Sequence, residues 1–325
     1  MSAHGPRSSP RLRRTVMASS TSFPPPHAAA STSRALRSLL FDGSRIIRVA
    51  GAHNPLGARL AERAGFDGVW ASGLEVSASQ GVPDTDILTM TELHSVAAVM
   101  AESVAVPLVA DCDAGYGGVP NVMRMVRMYE ASGIAAVSME DKTFPKRNSF
   151  IPGRQDLVST EEFCSKVEAA KHAQRGPEFM VIARTETLVA GGELPEALDR
   201  CRAYAEAGAD AVLIHSKDRS PQRVLEFLEC WQDPSTPVVV VPTTYHSVTA
   251  AALQEAGASM VIYANHGLRA SIAAVENAFR SILANGSSTE IESVITPVHS
   301  VFELQGTAET LAAEAKFSVP DSNVR

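Results

Sequence analysis

One unit recurs along this chain and limits what it can fold into. It is a helical stretch closed by glycine, then a short apolar run, then polar residues. Ala64-Gly65-Phe66-Asp67-Gly68-Val69-Trp70 leads to Ala71-Ser72-Gly73, and Ser132-Gly133-Ile134-Ala135-Ala136-Val137-Ser138-Met139 leads to Glu140-Asp141-Lys142. Ala207-Gly208-Ala209-Asp210-Ala211-Val212-Leu213-Ile214 leads to His215-Ser216-Lys217, and Ala256-Gly257-Ala258-Ser259-Met260-Val261-Ile262-Tyr263 leads to Ala264-Asn265-His266. Glycine after a last helical turn supplies a left-handed cap. The runs are apolar throughout rather than alternating, so both faces of each must be covered, as in a parallel sheet under helices. Four further runs of the same kind lie at 46–50, 106–110, 180–183 and 238–241, and segments such as 195–207 and 222–231 have helical spacing. Eight such units over roughly 250 residues predict a (β/α)8 TIM-type barrel. A doubly wound open sheet competes, but no glycine-rich fingerprint follows the first run.

A barrel of this kind carries its chemistry where the strands end. Here those ends bring Ser72, Asp111, Asp113, Glu140, Arg184, His215 and Asn265 toward one mouth. Asp111, Asp113 and Glu140 are hard oxygen donors without paired histidines, a set that fits Mg²⁺ or Mn²⁺ better than zinc. Salt bridges to nearby lysines are the plainer reading, but the small residues of Asp111-Cys112-Asp113-Ala114-Gly115-Tyr116-Gly117-Gly118 leave room for a ligand. Arg184 offers a planar cation for phosphate or carboxylate, or an ion pair with Glu186. His215 can donate to an anionic oxygen, act as acid or base, or sit as a hydrogen-bonded core histidine. The backbone at Ser72-Gly73-Leu74 can cradle an anion, and Trp70 can wall the pocket or fill the barrel. The long polar stretch 142–155, with Lys146, Asn148 and Ser149 close together, reads as a lid.

The totals narrow the function. A net charge of −7 argues against general nucleic-acid binding. Cys112, Cys164, Cys201 and Cys230 are widely spaced and form neither a zinc motif nor a disulfide framework, so a reducing compartment, the cytoplasm, is expected. No apolar run has the length of a membrane span. Residues 1–35 read as a disordered extension, rich in Arg, Ser and Ala; Met17 as the true start and an organelle transit peptide are the competing readings. The catalytic barrel is expected over 36–310, followed by a loose tail over 311–325.

The motifs Ala52-His53-Asn54, Trp70-Ala71-Ser72-Gly73-Leu74, Asp111 to Gly117, the loop from Glu140 to Ser149, Ala183-Arg184-Thr185-Glu186, His215-Ser216-Lys217 and Ala264-Asn265-His266 occur together and in order. In them the chain resembles the isocitrate lyase/phosphoenolpyruvate mutase superfamily from about residue 38 to 306. Lyases of the superfamily carry a cysteine in the mobile loop; here that stretch is Lys146-Arg147-Asn148-Ser149-Phe150, so cleavage of isocitrate-type substrates is disfavoured. The Lys-x-Asn-Ser order resembles the phosphoenolpyruvate mutase branch, whereas Val82-Pro83-Asp84-Thr85-Asp86 has some likeness to the phosphonopyruvate hydrolase branch.

The resemblance implies a barrel with its last helix swapped between subunits of a homodimer or homotetramer. It also implies a small-molecule substrate, phosphoenolpyruvate or phosphonopyruvate, and Mg²⁺ at Asp111, Asp113 and Glu140. Gly73 and Leu74 would hold the substrate carboxylate; Ser72, Asn148, Arg184 and His215 the phosphoryl oxygens; Lys146, Asn148 and Ser149 would ride on the lid, with Asp84 beside them. A non-catalytic binding protein for a phosphorylated acid is the reading from another class.

Overall fold

Eight parallel strands close on one another in chain order in the computed structural model, which describes residues 29–318. They are β1 (Ile47–Ala52), β2 (Gly68–Ala71), β3 (Leu108–Asp111), β4 (Ala136–Glu140), β5 (Met180–Thr185), β6 (Ala211–Ile214), β7 (Val238–Val240) and β8 (Ala258–Tyr263). Ile47 and Ala50 of β1 pair with Met260 and Tyr263 of β8, which closes the barrel and excludes the open sheet. All four glycines of the repeated unit, Gly65, Gly133, Gly208 and Gly257, have positive φ, as their capping role requires. Two helices read from spacing appear at Leu194–Glu206 and Gln222–Cys230.

The barrel is filled by one side-chain parity of each strand. Val49, Trp70, Val109, Ala136, Met180, Ile182, Ala211, Leu213, Val239, Met260 and Ile262 form a buried cluster inside it. Their neighbours of opposite parity, such as Val137, Val181 and Val212, pack outward against helices. Leu36 and Leu40 join the inner cluster from a helix at Ala29–Asp42. This helix stoppers the end of the barrel where the strands begin: Arg37 pairs with Asp210, just before β6, and the Thr32 hydroxyl donates to the Gly133 carbonyl, just before β4. The helix therefore starts within the stretch expected to precede the domain, while residues 1–28 lie outside the described residues. At the other end, where a loose tail was expected from 311, a helix continues over Thr307–Phe317 and only 319–325 are not described.

Closure leaves no room for a side chain at Gly51. A Cβ there would lie 2.0 Å from the Ala264 carbonyl oxygen, and backbone cannot step aside. Gly51→Ala should cost about 3 kcal/mol of unfolding free energy, at the upper end for overpacking; a denaturant midpoint equal to wild type would contradict this.

The helix His266–Asn285 buries none of its side chains. Ile272, Val275, Phe279 and Leu283 line an exposed apolar stripe along it at helical spacing. No helix among the described residues is long and apolar enough to cross a membrane.

Candidate active site

The inward parity that fills the barrel continues, two residues further along each strand, into the functional groups. Trp70 is followed by Ser72, Val109 by Asp111, Ser138 by Glu140, Ile182 by Arg184 and Leu213 by His215. Glu140 and Arg184 are register partners across β4 and β5. Ser72, Asp111, Glu140, Arg184 and His215, with Leu74, Asp84, Lys146, Asn148, Ser149 and Asn265, line one cavity of about 50 Å³, room for a few water molecules, while Gly73 and Asp113 lie just behind its wall. Trp70 both fills the barrel and walls the cavity, and it is almost wholly buried.

The acids crowd the β3–β4 side. The backbone N–H groups of Gly73 and Asp113 each approach the Asp111 carboxylate at 3.4 Å, and a Cβ on Gly73 would meet Asp111 and Asp113 oxygens at 3.3 Å. Asp113 is held at φ 49, a left-handed conformation that a side-chain-bearing residue adopts only when its surroundings enforce it. Burial pushes Asp113 well above the ordinary carboxylate range, Asp111 and Asp84 adding to this against the pull of Lys146. Burial also raises Asp111, against Lys146 and Arg184. The Lys146 ammonium sits against Asp113 and lies 3.1 Å from Asp84. Burial alone would favour its neutral form, but Asp113, Asp84, Glu140 and Asp111 hold it protonated well above the usual lysine range.

Among the described residues no three acid, histidine or cysteine side chains are grouped as a metal site, and the Lys146 ammonium faces Asp113. The donor set nevertheless fits a hard divalent ion. It is all carboxylate oxygen, it is crowded with like charge, and Glu140 Oε1 is buried without a hydrogen-bond partner. Lys146 would compete with such an ion for Asp113 Oδ1.

The opposite side of the cavity is organised by an acid that was considered above only as an ion-pair partner. Glu186 is fully buried. It accepts from Arg184 Nε, from His215 Nδ1 at 2.7 Å and from Ser149 Oγ at 2.6 Å, with Lys142 Nζ at 3.4 Å. Burial by itself would raise its pKa, but Arg184, His215 and Lys142 overrule this and keep it ionised well below the usual range. His215 Nδ1 also lies 2.9 Å from Arg184 Nη2. A carboxylate only accepts and a guanidinium only donates, so Nδ1 can serve just one of them. The shorter, charge-assisted contact assigns its proton to the bond with Glu186.

The lid is closed over these groups. Asn148 Nδ2 donates to Asp84 Oδ2 at 2.6 Å, and the Lys146 N–H donates to Asp86. Burial would raise Asp84, but Lys146 and Asn148 bring it below its ordinary value. Lys142, buried at the lid base, donates to the Arg147 carbonyl and to Ser149 Oγ, both at 2.8 Å. Phe150 sets its ring edge against His215, with centroids 5.9 Å apart. The lid residues Lys142 and Phe150 and the buried Glu186 were missed as site components. Asn54 of the first motif serves instead as a helix cap, accepting from the Gly57 N–H at 2.7 Å.

Behind the cavity, one residue past the end of β4, Asp141 is fully buried and accepts from Tyr204 OH, Thr185 Oγ1 and the Glu186 N–H. Burial, partly offset by these bonds, pushes its carboxyl up to about 6 from 3.8. Between those values the folded form keeps a proton that the unfolded chain has lost. This group therefore adds stability that is complete below 3.8 and drains away as pH rises through 6. The stability margin of wild type over Asp141→Asn should widen by up to about 3 kcal/mol on going from neutral pH to pH 4. Urea unfolding at both pH values measures it, and a narrowing margin would refute the assignment.

The family described as Phosphoenolpyruvate phosphomutase matches residues 36–283. A crystal structure of a phosphoenolpyruvate phosphomutase from Streptomyces platensis subsp. rosaceus is 64% identical, with a TM-score of 0.86, and the match covers 88% of this chain and 99% of that one. Phosphonopyruvate hydrolase from Variovorax sp. (strain Pal2) is 45% identical over 87% of this chain and 98% of its own length. A phosphonopyruvate hydrolase crystallised with oxalate and Mg++ is 43% identical, with a TM-score of 0.83 over 88% and 99% of the two chains. By sequence and by structure, the chain belongs to the phosphoenolpyruvate phosphomutase family.

Proposed function

We propose that the protein interconverts phosphoenolpyruvate and phosphonopyruvate. The phosphoryl group leaves the enol oxygen, the O–P bond breaks, and a P–C bond forms at the methylene carbon of the pyruvate enolate left behind. One observation carries this reading: a lid without cysteine, bearing Lys146, Asn148 and Ser149, folds over Arg184 and His215, with Ser149 bonded to Glu186 and Phe150 against His215. Migration needs the transferring group held in place and protected from bulk solvent. Likeness to the 64% identical phosphomutase supports migration over hydrolysis. The hydrolase at 45% identity keeps phosphonopyruvate cleavage as the second reading.

Backbone N–H groups at Gly73 and Leu74 bind the substrate carboxylate beside Trp70. Ser72, Arg184, His215 and Asn148 hold the phosphoryl oxygens, spreading the charge of a loose transfer without a protein nucleophile. Lys146 and Asp84 fasten the closed lid, and Ser149 joins it to the floor. Mg²⁺ held by Asp111, Asp113 and Glu140 would supply neutralisation of enolate charge; likeness to the hydrolase crystallised with Mg++ supports that choice. The exposed stripe on His266–Asn285 supports a homo-oligomer in which a second copy covers this helix by exchange. Cys112, Cys164, Cys201 and Cys230 are free thiols, in keeping with a reducing compartment such as the cytoplasm.

Phosphorus NMR on phosphonopyruvate with Mg²⁺ tests the reading. Phosphoenolpyruvate should accumulate; inorganic phosphate with pyruvate would assign the hydrolase instead, and unchanged phosphonopyruvate would reject both. Asn148→Ala should lower turnover about 10²-fold, the effect of removing one positioned donor. Unchanged turnover would remove Asn148 from the phosphoryl site.

A further inference from the structure

Glu186 is placed to sense two events at once. Its Oε1 accepts from Arg184 and His215, which approach from the ends of β5 and β6. Its Oε2 accepts from Ser149 Oγ, carried by the lid, at 2.6 Å. The lid bond is reinforced from its far side, because Lys142 Nζ donates to Ser149 Oγ at 2.8 Å and faces Glu186 at 3.4 Å. The main chain that carries this carboxylate is anchored, since Asp141 Oδ1 accepts the Glu186 backbone N–H at 2.8 Å. Opening the lid would withdraw the Ser149 hydroxyl and leave a buried oxygen short of a donor. The carboxylate would then lean more on Arg184 and His215.

We propose that Glu186 is a positioning residue that latches the lid: one carboxylate joins lid closure, through Ser149, to the orientation of the Arg184 and His215 side chains. A buried charge satisfied on both oxygens is costly to leave half-satisfied, and this makes the closed lid and the aligned pair mutually dependent. Gln cannot replace it. The amide lacks the charge and has one accepting oxygen: turned to Arg184 and His215, it meets Ser149 with an N–H, so the lid hydroxyl, already accepting from Lys142, loses the acceptor for its own proton; turned the other way, it sets a donor against Arg184 and His215.

The inference rests on the mutase reading for its kinetic arm only; its conformational arm needs no turnover. The Arg147 and Arg154 side chains, exposed on the lid, are trypsin sites. With the full-length protein in Mg²⁺ buffer, Glu186→Gln should be cut between residues 146 and 155 several-fold faster than wild type, and Ser149→Ala likewise. In the double variant Ser149→Ala should add nothing further, because both changes break the same link. On phosphonopyruvate, Glu186→Gln should lower kcat and raise KM together, and Glu186→Asp should recover part of both. Lid cleavage as slow as wild type in Glu186→Gln, or a Ser149→Ala effect undiminished in the double variant, would overturn the latch. Should Glu186→Gln fail to fold, Ser149→Ala alone decides, since wild-type cleavage in that variant also overturns it. A wild-type protein that turns over neither substrate would reject the mutase reading and leave the cleavage comparison intact.

Discussion

Arg184→Ala should lower kcat/KM on the order of 10³-fold, one of the two largest losses expected of any change to this protein. The guanidinium approaches Glu140 at 3.3 Å and His215 at 2.9 Å and is bonded to Glu186, so it stands between the acidic side of the cavity and the phosphoryl side. Removing it deletes a positioned cation for the transferring group and also leaves Glu186 ionised in a buried place. Losing one partner of a buried pair costs about 3 kcal/mol or more, so the variant should also unfold at lower denaturant. Arg184→Lys separates the two effects. It keeps the charge and most of the stability but loses the planar fork, and its activity should fall between wild type and alanine. Steady-state rates followed by phosphorus NMR, with urea melts alongside, test both. An alanine variant within tenfold of wild type would remove Arg184 from the phosphoryl site.

Stripping divalent cations with a chelator should have an effect as large and should be reversed by adding Mg²⁺. Asp84, Asp111 and Glu140 line one cavity together with the cations Lys142, Lys146 and Arg184, and Asp113 lies beside it against Lys146. An enolate developing there adds negative charge to a place already crowded with it. Loss of about 4 kcal/mol of charge stabilisation corresponds to roughly 10³-fold in rate. Titration calorimetry gives a readout independent of turnover. Mg²⁺ should bind wild type, bind Asp111→Ala far more weakly, and bind Lys146→Ala more tightly, because the lysine no longer competes for Asp113. Full activity in excess chelator, or Mg²⁺ affinity indifferent to Asp111, would move the cation elsewhere.

The barrel was legible because its signals are local and repeated: unbroken apolar runs can only be covered strands, and glycine caps mark where helices stop. Strand ends were less legible. Asp111, Glu140 and Arg184 belong to their strands, because ladder hydrogen bonds are made by backbone whatever side chain follows. The strand-end site residues were found because they follow the apolar runs directly. Glu186 was read only as a neighbour of Arg184, since its bond to Ser149 depends on a distant loop folding back across the cavity. The helix at Ala29–Asp42 left a faint trace, Leu36 and Leu40 one turn apart in an otherwise Ser- and Arg-rich stretch.

The continuation of core parity into the mouth has an evolutionary consequence. Ser72, Asp111, Arg184 and His215 each stand one rung above an apolar residue of the same inward row, so foundation and tool are separate layers. Exchanging a tool alters what the protein does to a substrate while the rungs beneath go on bearing the fold. A single framework can in this way host both the migration and the cleavage of a phosphorus–carbon bond among its relatives.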